Sequence, residues 1–256
     1  IRGMIPFEKK PGERGKRKNP KQALLLNSPL VSMNFAEAMR SAEAKVEHHM
    51  RRHHQKVLLV TSVTENEGKS TVAANIALAL AEKNRKVLLV DGDLKKPAQN
   101  KVFEEQEQGR HSLDEVLAGG VDWKEALFFS EKNNIWEMFQ FHSVEDTASA
   151  LDIPAVKTML KGCKEEMDYI IIDCSPTAVS TDAEIWMGAA DTVLLVIRED
   201  WADVRVITDT VDVIWQSGRD FTGFILNAFH REWFRAGGED GYENYVRRSR
   251  GTDERS

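Results

Sequence analysis

Cysteine, long apolar runs and tyrosine are all scarce in this sequence. Its 256 residues include only two cysteines, Cys163 and Cys174, too few for a disulfide framework and typical of a protein from a reducing cytosol. No apolar stretch approaches the roughly 20 residues that a helix needs to span a bilayer. A hydrophobic content of 41% with 30% charged residues is typical of a globular α/β protein with one sizeable core. These features exclude a disulfide-stapled secreted scaffold and a membrane-embedded bundle.

Basic charge is also missing from most of the chain. Residues 1–22 hold eight Lys or Arg and two Glu, a net charge of +6, which leaves −12 on the remainder. Because nucleic-acid binding needs a basic surface, we expect no nucleic-acid partner. Residues 1–22 are predicted to be a flexible, juxtamembrane-like basic arm. Two interpretations explain this composition equally well. The arm could be attracted to anionic lipid, at about 1 kcal/mol per basic side chain, or it could be a solvated linker.

Residues 23–230 alternate between apolar strands and helices, which is typical of a parallel sheet covered by helices on both faces. The predicted fold class is therefore α/β, as one domain over this interval. The predicted strands are Val57–Val60, Arg85–Val90, Tyr169–Ile172, Thr192–Ile197 and Phe221–Leu226, with another within Asn134–Phe141. The predicted helices are Phe35–Met50 after the cap Asn34, Val72–Leu80, Leu113–Leu117, Trp123–Phe128, Pro154–Glu166 and Val204–Trp215.

The polar segment 231–256 is predicted to be a mobile tail. It contains Tyr242 and Tyr245, two of the three tyrosines in the chain. Aromatic residues are usually depleted in disordered segments, so this placement suggests a function for the two side chains. The third tyrosine, Tyr169, is predicted to lie in the core.

A phosphate-binding loop is predicted where the first apolar strand meets a helix. Gly68, Lys69 and Ser70 open that helix, which is the order of a Walker A site. Backbone N–H groups at such a helix start attract phosphate oxygens, while Lys69 would reach the β- and γ-phosphates and the Ser70 hydroxyl would bind Mg²⁺. Val63 stands where the usual pattern has its first glycine, so Asn66 is expected to supply the left-handed turn residue.

Aspartates follow two further apolar strands. Asp91 and Asp93 come directly after Val87–Val90, and Asp173 follows Ile170–Ile172. The carboxyl ends of parallel strands meet at one edge of a sheet, where ligands bind. Each carboxylate could hold Mg²⁺ or accept a proton, although a turn or a helix cap explains any single one of them. Together with Gly-Lys-Ser they predict a nucleotide pocket.

These motifs resemble those of the bacterial tyrosine kinases, the P-loop kinases of capsule and exopolysaccharide systems. Val87–Pro97 resembles their Walker A-prime motif, Thr61–Thr71 their phosphate loop and Asp168–Pro176 their Walker B motif. Ser28–Arg40 resembles a helix of the same family, and the resemblance extends over about residues 27–230. It implies a deviant-Walker P-loop NTPase fold and the transfer of phosphate from ATP to protein tyrosine.

The resemblance also implies a role for each site residue, with ATP and Mg²⁺ as cofactors. Lys69, Asp91 and Asp93 would be catalytic, Asp91 as the base for the tyrosine hydroxyl and Asp93 as a partner of the metal or phosphate. Tyr242 and Tyr245 would accept phosphate in trans from a neighbouring subunit. The implied nucleotide-binding residues are Glu67, Gly68, Lys69, Ser70, Thr71 and, at the adenine, Asn227. The implied metal ligands are Ser70, Asp91 and Asp173.

The resemblance further implies a homo-oligomer at the cytoplasmic face of the cell membrane, beside a membrane-spanning polysaccharide co-polymerase segment or partner. Relatives form rings through a Glu-x-x-Arg-x-x-Arg helix motif. Glu37 and Arg40 match it, but Glu43 stands where the second arginine belongs. An anion there reverses the expected contact, which counts against a ring.

Two other functions stay open. Partitioning or septum-positioning ATPases share the deviant P-loop, but Thr64 occupies the place of the lysine that reaches across their dimers. A regulatory ATP-binding module is the second alternative, favoured by Val63, Glu43 and the sparse tyrosine cluster. A metal held by His49 and His53, four residues apart on a predicted helix, is disfavoured because no carboxylate or cysteine completes the set.

Overall fold

The computed structural model describes residues 1–8, 23–147 and 151–230. Within them the strands are β1 (Gly3–Pro6), β2 (Val57–Ser62), β3 (Val87–Asp91), β4 (Phe128–Ser130), β5 (Ile135–Met138), β6 (Tyr169–Asp173), β7 (Thr192–Arg198) and β8 (Asp220–Phe229). The helices are α1 (Met33–Arg52), α2 (Lys69–Glu82), α3 (Gln99–Val102), α4 (Leu113–Leu117), α5 (Ile153–Glu166), α6 (Asp182–Ala189) and α7 (Val204–Gln216).

The described strands form one eight-stranded sheet in the order β1-β8-β7-β2-β6-β3-β5-β4. Every neighbouring pair is parallel except β4 with β5. The predicted α/β class is therefore confirmed. Parallel strands bring their carboxyl ends to one edge, so the ends of β2, β3 and β6 lie together there.

Two apolar clusters cover the two faces of this sheet, because successive side chains of a strand point to opposite faces. On one side Leu58 and Val60 pack beneath α1 and α2. On the other Val57 and Leu59 pack beneath α5, α6 and α7. Helix α2 is buried on nearly all its sides, from Val72 to Ala81, which fixes the phosphate loop at its start.

Strand β1 corrects the prediction of a flexible arm over residues 1–22. Gly3 and Met4 pair with Ile225 and Leu226 of β8, and Ile5 is fully buried. Gly3 allows this approach because a Cβ atom there would lie 2.6 Å from the Cβ of Ala42 on α1. The basic composition concealed a short apolar strand, and the rest of the predicted arm, residues 9–22, lies outside the described residues.

Two helix predictions also need correction. Helix α1 begins at Met33 rather than Phe35, because the cap is Ser32, whose Oγ accepts a hydrogen bond from Phe35 N at 3.1 Å, rather than Asn34. The segment predicted as a helix over Trp123–Phe128 is a turn followed by β4. The Asp122 side chain accepts from Lys124 N at 2.9 Å and stabilises the turn.

Candidate active site

The phosphate loop between β2 and α2 is shaped by its own glutamate. The Glu67 carboxylate accepts hydrogen bonds from Val63 N at 2.8 Å and Thr64 N at 3.1 Å. Asn66 has φ 65°, so the prediction that it supplies a left-handed residue is confirmed, and Gly68 has φ 94°. Burial raises the pKa of Glu67 although these backbone hydrogen bonds oppose the shift. The loop therefore holds its curvature without the first glycine of the usual pattern.

Asn227 braces the loop from β8. Its Nδ2 donates to Glu67 O at 2.8 Å, and a Cβ atom built on Gly68 would lie 2.2 Å from the same nitrogen. The side chain also lines a cavity of about 160 Å³ next to the loop. Asn227, which the resemblance assigns to adenine, thus already uses its side-chain nitrogen to hold the phosphate loop.

Lys69 lies between two of the predicted aspartates. Its Nζ is 3.0 Å from Asp93 Oδ2 and 3.5 Å from Asp173 Oδ1. Burial alone would lower the pKa of Lys69, but the charges of Asp173 and Asp93 outweigh it and raise the pKa. The amine is therefore a fixed cation where the loop would receive phosphate.

Asp91 and Asp173 stand side by side on β3 and β6, and both are fully buried. Asp91 Oδ2 accepts from Ala98 N at 2.9 Å and from Gln99 N at 2.8 Å, so this oxygen caps α3. Burial, followed by the charge of Asp173, raises the pKa of Asp91 to about 8. Burial also raises the pKa of Asp173, with Lys69 opposing it.

Three oxygens of this region are buried and accept no hydrogen bond: Asp91 Oδ1, Gln99 Oε1 and Asp173 Oδ1. The last of these lies 3.5 Å from Lys69 Nζ. Among the described residues no three His, Cys, Asp or Glu side chains form a ready-made metal site. Mg²⁺ in phosphoryl-transfer enzymes is usually held by one or two carboxylates, with phosphates and water completing its shell. The oxygen set fits that kind of site.

A cavity of about 490 Å³ opens beside the phosphate loop, a volume within the range of small-molecule sites. Asp93 lines this cavity, whereas the fully buried Asp91 and Asp173 are not among its lining residues. Positive side chains dominate the rim, as a polyphosphate ligand requires. The lining residues include Asn66, Gly68, Lys69, Ser70, Thr71, Lys95, Lys96, Ser175 and Arg198.

Sequence reasoning missed three residues of this region. Gln99 joins the aspartates and the phosphate loop. Arg198, the last residue of β7, donates to Asn66 O at 3.2 Å and lies 4.6 Å from the centre of the Trp201 ring. Trp201 Nε1 in turn donates to Glu65 O at 3.0 Å. The position of Arg198 at the carboxyl end of a parallel strand was the available signal.

The remaining predicted residues lie elsewhere. Tyr242 and Tyr245 fall outside the described residues. Tyr169 is only 6% exposed, which confirms it as a core residue. His49 Nε2 lies 2.5 Å from Asp220 Oδ2, and its ring centre is 4.6 Å from that of His53.

Comparisons with known proteins show which family the chain is similar to. A family model described as an AAA domain matches residues 55–216. The tyrosine-protein kinase CpsD of Streptococcus pneumoniae serotype 4 (strain ATCC BAA-334 / TIGR4) is 34% identical over 173 residues, which cover 67% of this chain and 75% of CpsD. The succinoglycan biosynthesis transport protein ExoP of Rhizobium meliloti (strain 1021) is 25% identical over 196 residues. That match covers 75% of this chain but only a quarter of the length of ExoP.

Two solved structures share the fold. The kinase domain of Escherichia coli tyrosine kinase ETK superposes with a TM-score of 0.80 at 22% identity, covering 90% of this chain and 91% of that one. The septum site-determining protein MinD of Pyrococcus horikoshii OT3, complexed with Mg-ADP, gives a TM-score of 0.60 at 28% identity. It covers 69% of this chain and 71% of its own.

Proposed function

The chain belongs to the bacterial tyrosine kinases of capsule and exopolysaccharide synthesis, with an AAA domain over residues 55–216, and from this membership we propose that it is an ATP-dependent protein-tyrosine kinase. It phosphorylates Tyr242 and Tyr245 of a neighbouring copy and regulates the synthesis or export of a polysaccharide. The observation that carries the proposal is the meeting of Lys69, Asp93, Asp173 and Asp91 beside one cavity.

Each of these groups has a task in phosphoryl transfer. Lys69 replaces its present contacts with Asp93 and Asp173 by contacts to the β- and γ-phosphates of ATP. Ser70 and Asp173 are the residues that would hold Mg²⁺, because the one unpartnered oxygen of Asp91 is needed for the tyrosine proton. When bound, the cation neutralises charge on the phosphates. The backbone N–H groups of Gly68 to Thr71 add fixed positive dipoles at the same point.

The transfer itself moves one phosphoryl group and one proton. The tyrosine oxygen forms a bond to the γ-phosphorus, the bond from that phosphorus to the ADP oxygen breaks, and the phenol proton passes to Asp91. Oδ1 is the oxygen of Asp91 that is left for this proton, because Oδ2 already accepts two backbone hydrogen bonds. Since Asp91 is buried, the proposal requires the Asp93–Ala98 loop to shift when the substrate binds.

The adenine would occupy the cavity of about 160 Å³ between the phosphate loop and β8. Asn227 offers its Oδ1 there, while its Nδ2 continues to hold Glu67 O. Phe7, stacked on His230 at a ring separation of 4.7 Å, supplies an apolar wall. Apolar walls with a few polar groups are usual for a nucleobase site.

Trans-phosphorylation requires a second copy of the chain. Glu43 does not face such a neighbour, because it is fully buried and its carboxylate lies 2.6 Å from Lys83 Nζ of the same chain. Arg40 is engaged with Glu82 at 2.8 Å, and Glu37 is exposed. A homo-oligomer at the cytoplasmic face of the membrane, in contact with a membrane-spanning co-polymerase, remains the proposed setting. No described helix has the length and apolarity that crossing a bilayer demands.

A mixing experiment tests the proposal. The Lys69→Ala variant keeps both tail tyrosines but has no phosphate-binding amine, and the Tyr242→Phe/Tyr245→Phe double variant has the opposite defect. We expect phosphotyrosine on the Lys69→Ala chain only when the two are mixed with Mg-ATP. No phosphotyrosine in a mixture that binds ATP would remove the kinase claim.

The same experiment separates the alternatives. A partitioning-type ATPase would release phosphate briskly and be indifferent to the double Tyr→Phe change. Thr64, in place of the cross-dimer lysine, argues against it, and MinD is a relative by fold only. A regulatory module would bind ATP without transferring phosphate.

A further inference from the structure

Gln99 touches all three nucleotide motifs although none of the roles above uses it. The side chain is fully buried at the start of α3. Its Nε2 donates to Ser70 O at 3.0 Å and to Asp173 Oδ2 at 2.9 Å. Its backbone N donates to Asp91 Oδ2 at 2.8 Å. One residue therefore joins the phosphate loop to the ends of β3 and β6.

The orientation of this amide follows from its partners. A backbone carbonyl and an ionised carboxylate are acceptors only, so the nitrogen must face Ser70 O and Asp173 Oδ2. Turning the amide over would set its oxygen against both. Gln99 Oε1 consequently points away from them, and it is buried without a partner. A buried acceptor left unpaired loses its hydration without compensation, which calls for a ligand that pairs it.

The contact also decides which oxygens remain for a cation. Gln99 occupies Asp173 Oδ2 with its side chain and Asp91 Oδ2 with its backbone. The oxygen left for the cation is Asp173 Oδ1, which accepts no hydrogen bond and lies 3.5 Å from Lys69 Nζ until that amine turns to the phosphates. Mg²⁺ demands near-ideal octahedral geometry and keeps several waters. Fixing the Asp173 carboxylate to a single available oxygen reduces the reorganisation that metal binding requires.

We propose that Gln99 is a positioning residue for the Mg²⁺–phosphate site. Its amide nitrogen holds Asp173 and the phosphate loop at a fixed separation, and its carbonyl oxygen accepts a hydrogen bond from a water of the hydrated cation. The proposal rests on the proposed function only for Mg²⁺-dependent nucleotide binding, and it is independent of tyrosine phosphorylation.

The test compares the affinity for ADP in excess Mg²⁺ with that in EDTA. Gln99→Met fills nearly the same volume but can neither donate nor accept. We expect it to weaken ADP binding roughly tenfold in Mg²⁺, as removal of such outer partners does elsewhere, and less than about twofold in EDTA. Gln99→Asn, which withdraws the amide by one methylene, should show the same selective loss.

Gln55→Met is the matched control. Gln55 also donates from Nε2 to a carboxylate, Asp220 Oδ2 at 3.0 Å, but it lies at the amino end of β2, far from the phosphate loop. Its ADP affinities should equal those of the unchanged protein in both solutions. Equal losses for Gln99→Met in Mg²⁺ and in EDTA would mean a purely structural role and overturn the proposal, as would no loss in either. Absence of Mg²⁺-dependent ADP binding in the unchanged protein would overturn the proposed function too, whereas absence of phosphotyrosine alone would not affect Gln99.

Discussion

At the scale of single residues, Asp91 divides two tasks between its carboxylate oxygens. Oδ2 caps α3 through the backbone amides of Ala98 and Gln99, and Oδ1 is left without a partner. The capping interpretation and the catalytic interpretation, which the sequence left as alternatives, are therefore compatible. Without a cation, however, a negative charge on Asp91 would face that of Asp173 in a buried place, which favours the protonated carboxyl.

Asp91→Asn should therefore stabilise the metal-free protein while abolishing phosphate transfer. The raised pKa means that folded Asp91 holds a proton from about pH 4 to about pH 8, where the unfolded chain has lost it. Stability then falls as the pH rises through this window. We expect Asn to flatten that slope and to add roughly 1 kcal/mol near neutral pH. Unfolding in EDTA at several pH values measures how the stability of each protein depends on pH. If Asp91→Asn leaves that slope unchanged, the raised pKa of Asp91 is contradicted.

Gly68 is a second residue on which the geometry of the phosphate loop depends, because it has no Cβ atom. Its φ of 94° suits glycine, and Asn227 Nδ2 fills the space that a side chain would take. Gly218 has φ 69° with nothing within 4 Å of a built Cβ. At both positions an added side chain would strain the left-handed backbone. Only at Gly68 would it also clash with a neighbouring side chain.

Gly68→Ala should cost more than about 2 kcal/mol and weaken nucleotide binding at least tenfold, because both strain and a clash act. Gly218→Ala should cost only about 1 kcal/mol and leave nucleotide binding unchanged. Urea unfolding and ADP titration of both variants supply the comparison. Equal costs would mean that Asn227 does not brace the loop.

At this scale the sequence predicts some site residues and not others. An apolar strand ending in aspartate is a local pattern, so Asp91, Asp93 and Asp173 can be predicted. Asn66 follows from the missing glycine. Gln99 cannot be predicted, because its contacts depend on the path of the loop after β3, which no local pattern encodes.

At the scale of elements, the start of β2 is held by a carboxylate from the turn before β7. Asp191 Oδ2 accepts from Lys56 N and Val57 N, both at 2.9 Å, and its Oδ1 lies 2.6 Å from Lys164 Nζ. Partial burial would raise the pKa of Asp191, but Lys164 and the two amides together lower it. The strand that leads into the phosphate loop is thus anchored at its far end.

Asp191→Asn should destabilise the protein by about 1–2 kcal/mol at neutral pH, because it removes charge-assisted hydrogen bonds. A lowered pKa contributes stability that is present above the unfolded value of about 4 and is lost as the pH falls through the folded value. The difference from the unchanged protein should therefore shrink below about pH 4. Asp168→Asn is the control: this exposed carboxylate, just before β6, accepts one hydrogen bond from Lys86 N at the start of β3, and its loss should cost under about 0.5 kcal/mol. A constant difference at all pH values would contradict the account.

Elements that the sequence predicts correctly have strong periodicity or continuous burial. The core strands and α5 belong to this group. Trp123–Phe128 is predicted wrongly, because a short apolar segment fits a helix, a turn or a strand equally well. Strand β1 is missed because it is only four residues long and lies inside a basic stretch. Its partner β8 is distant in sequence, so the pairing leaves no local signal.

At the scale of the whole molecule, the central strands all run in the same direction. The candidate active site therefore lies at the one edge of the sheet where these strands end. On helix α1, Glu43 stands where the resemblance expects the second arginine of the ring-forming motif. Glu43 and Glu47 lie 2.6 and 2.9 Å from Lys83 Nζ, and Glu47 also contacts Arg85. Burial raises the pKa of Glu43, although the hydrogen bond and the positive charge of Lys83 oppose the shift.

Glu43→Arg should therefore destabilise the protein rather than create a ring. It places a buried cation beside Lys83, with an expected cost of about 3 kcal/mol. The double variant Glu43→Arg/Lys83→Glu restores opposite charges and should recover part of that loss. Unfolding measurements and light scattering of both variants test this. A stable Glu43→Arg protein of larger mass would contradict the internal pairing.

The most direct test of the central claim is phosphosite mapping by mass spectrometry after incubation with Mg-ATP. If, as proposed, Lys69, Asp91 and Asp173 serve one phosphoryl-transfer site, the unchanged protein should carry phosphotyrosine at Tyr242 and Tyr245 and the Lys69→Ala variant should carry none. Phosphotyrosine at undiminished level in Lys69→Ala, or its absence from unchanged protein that binds ATP, would contradict the account.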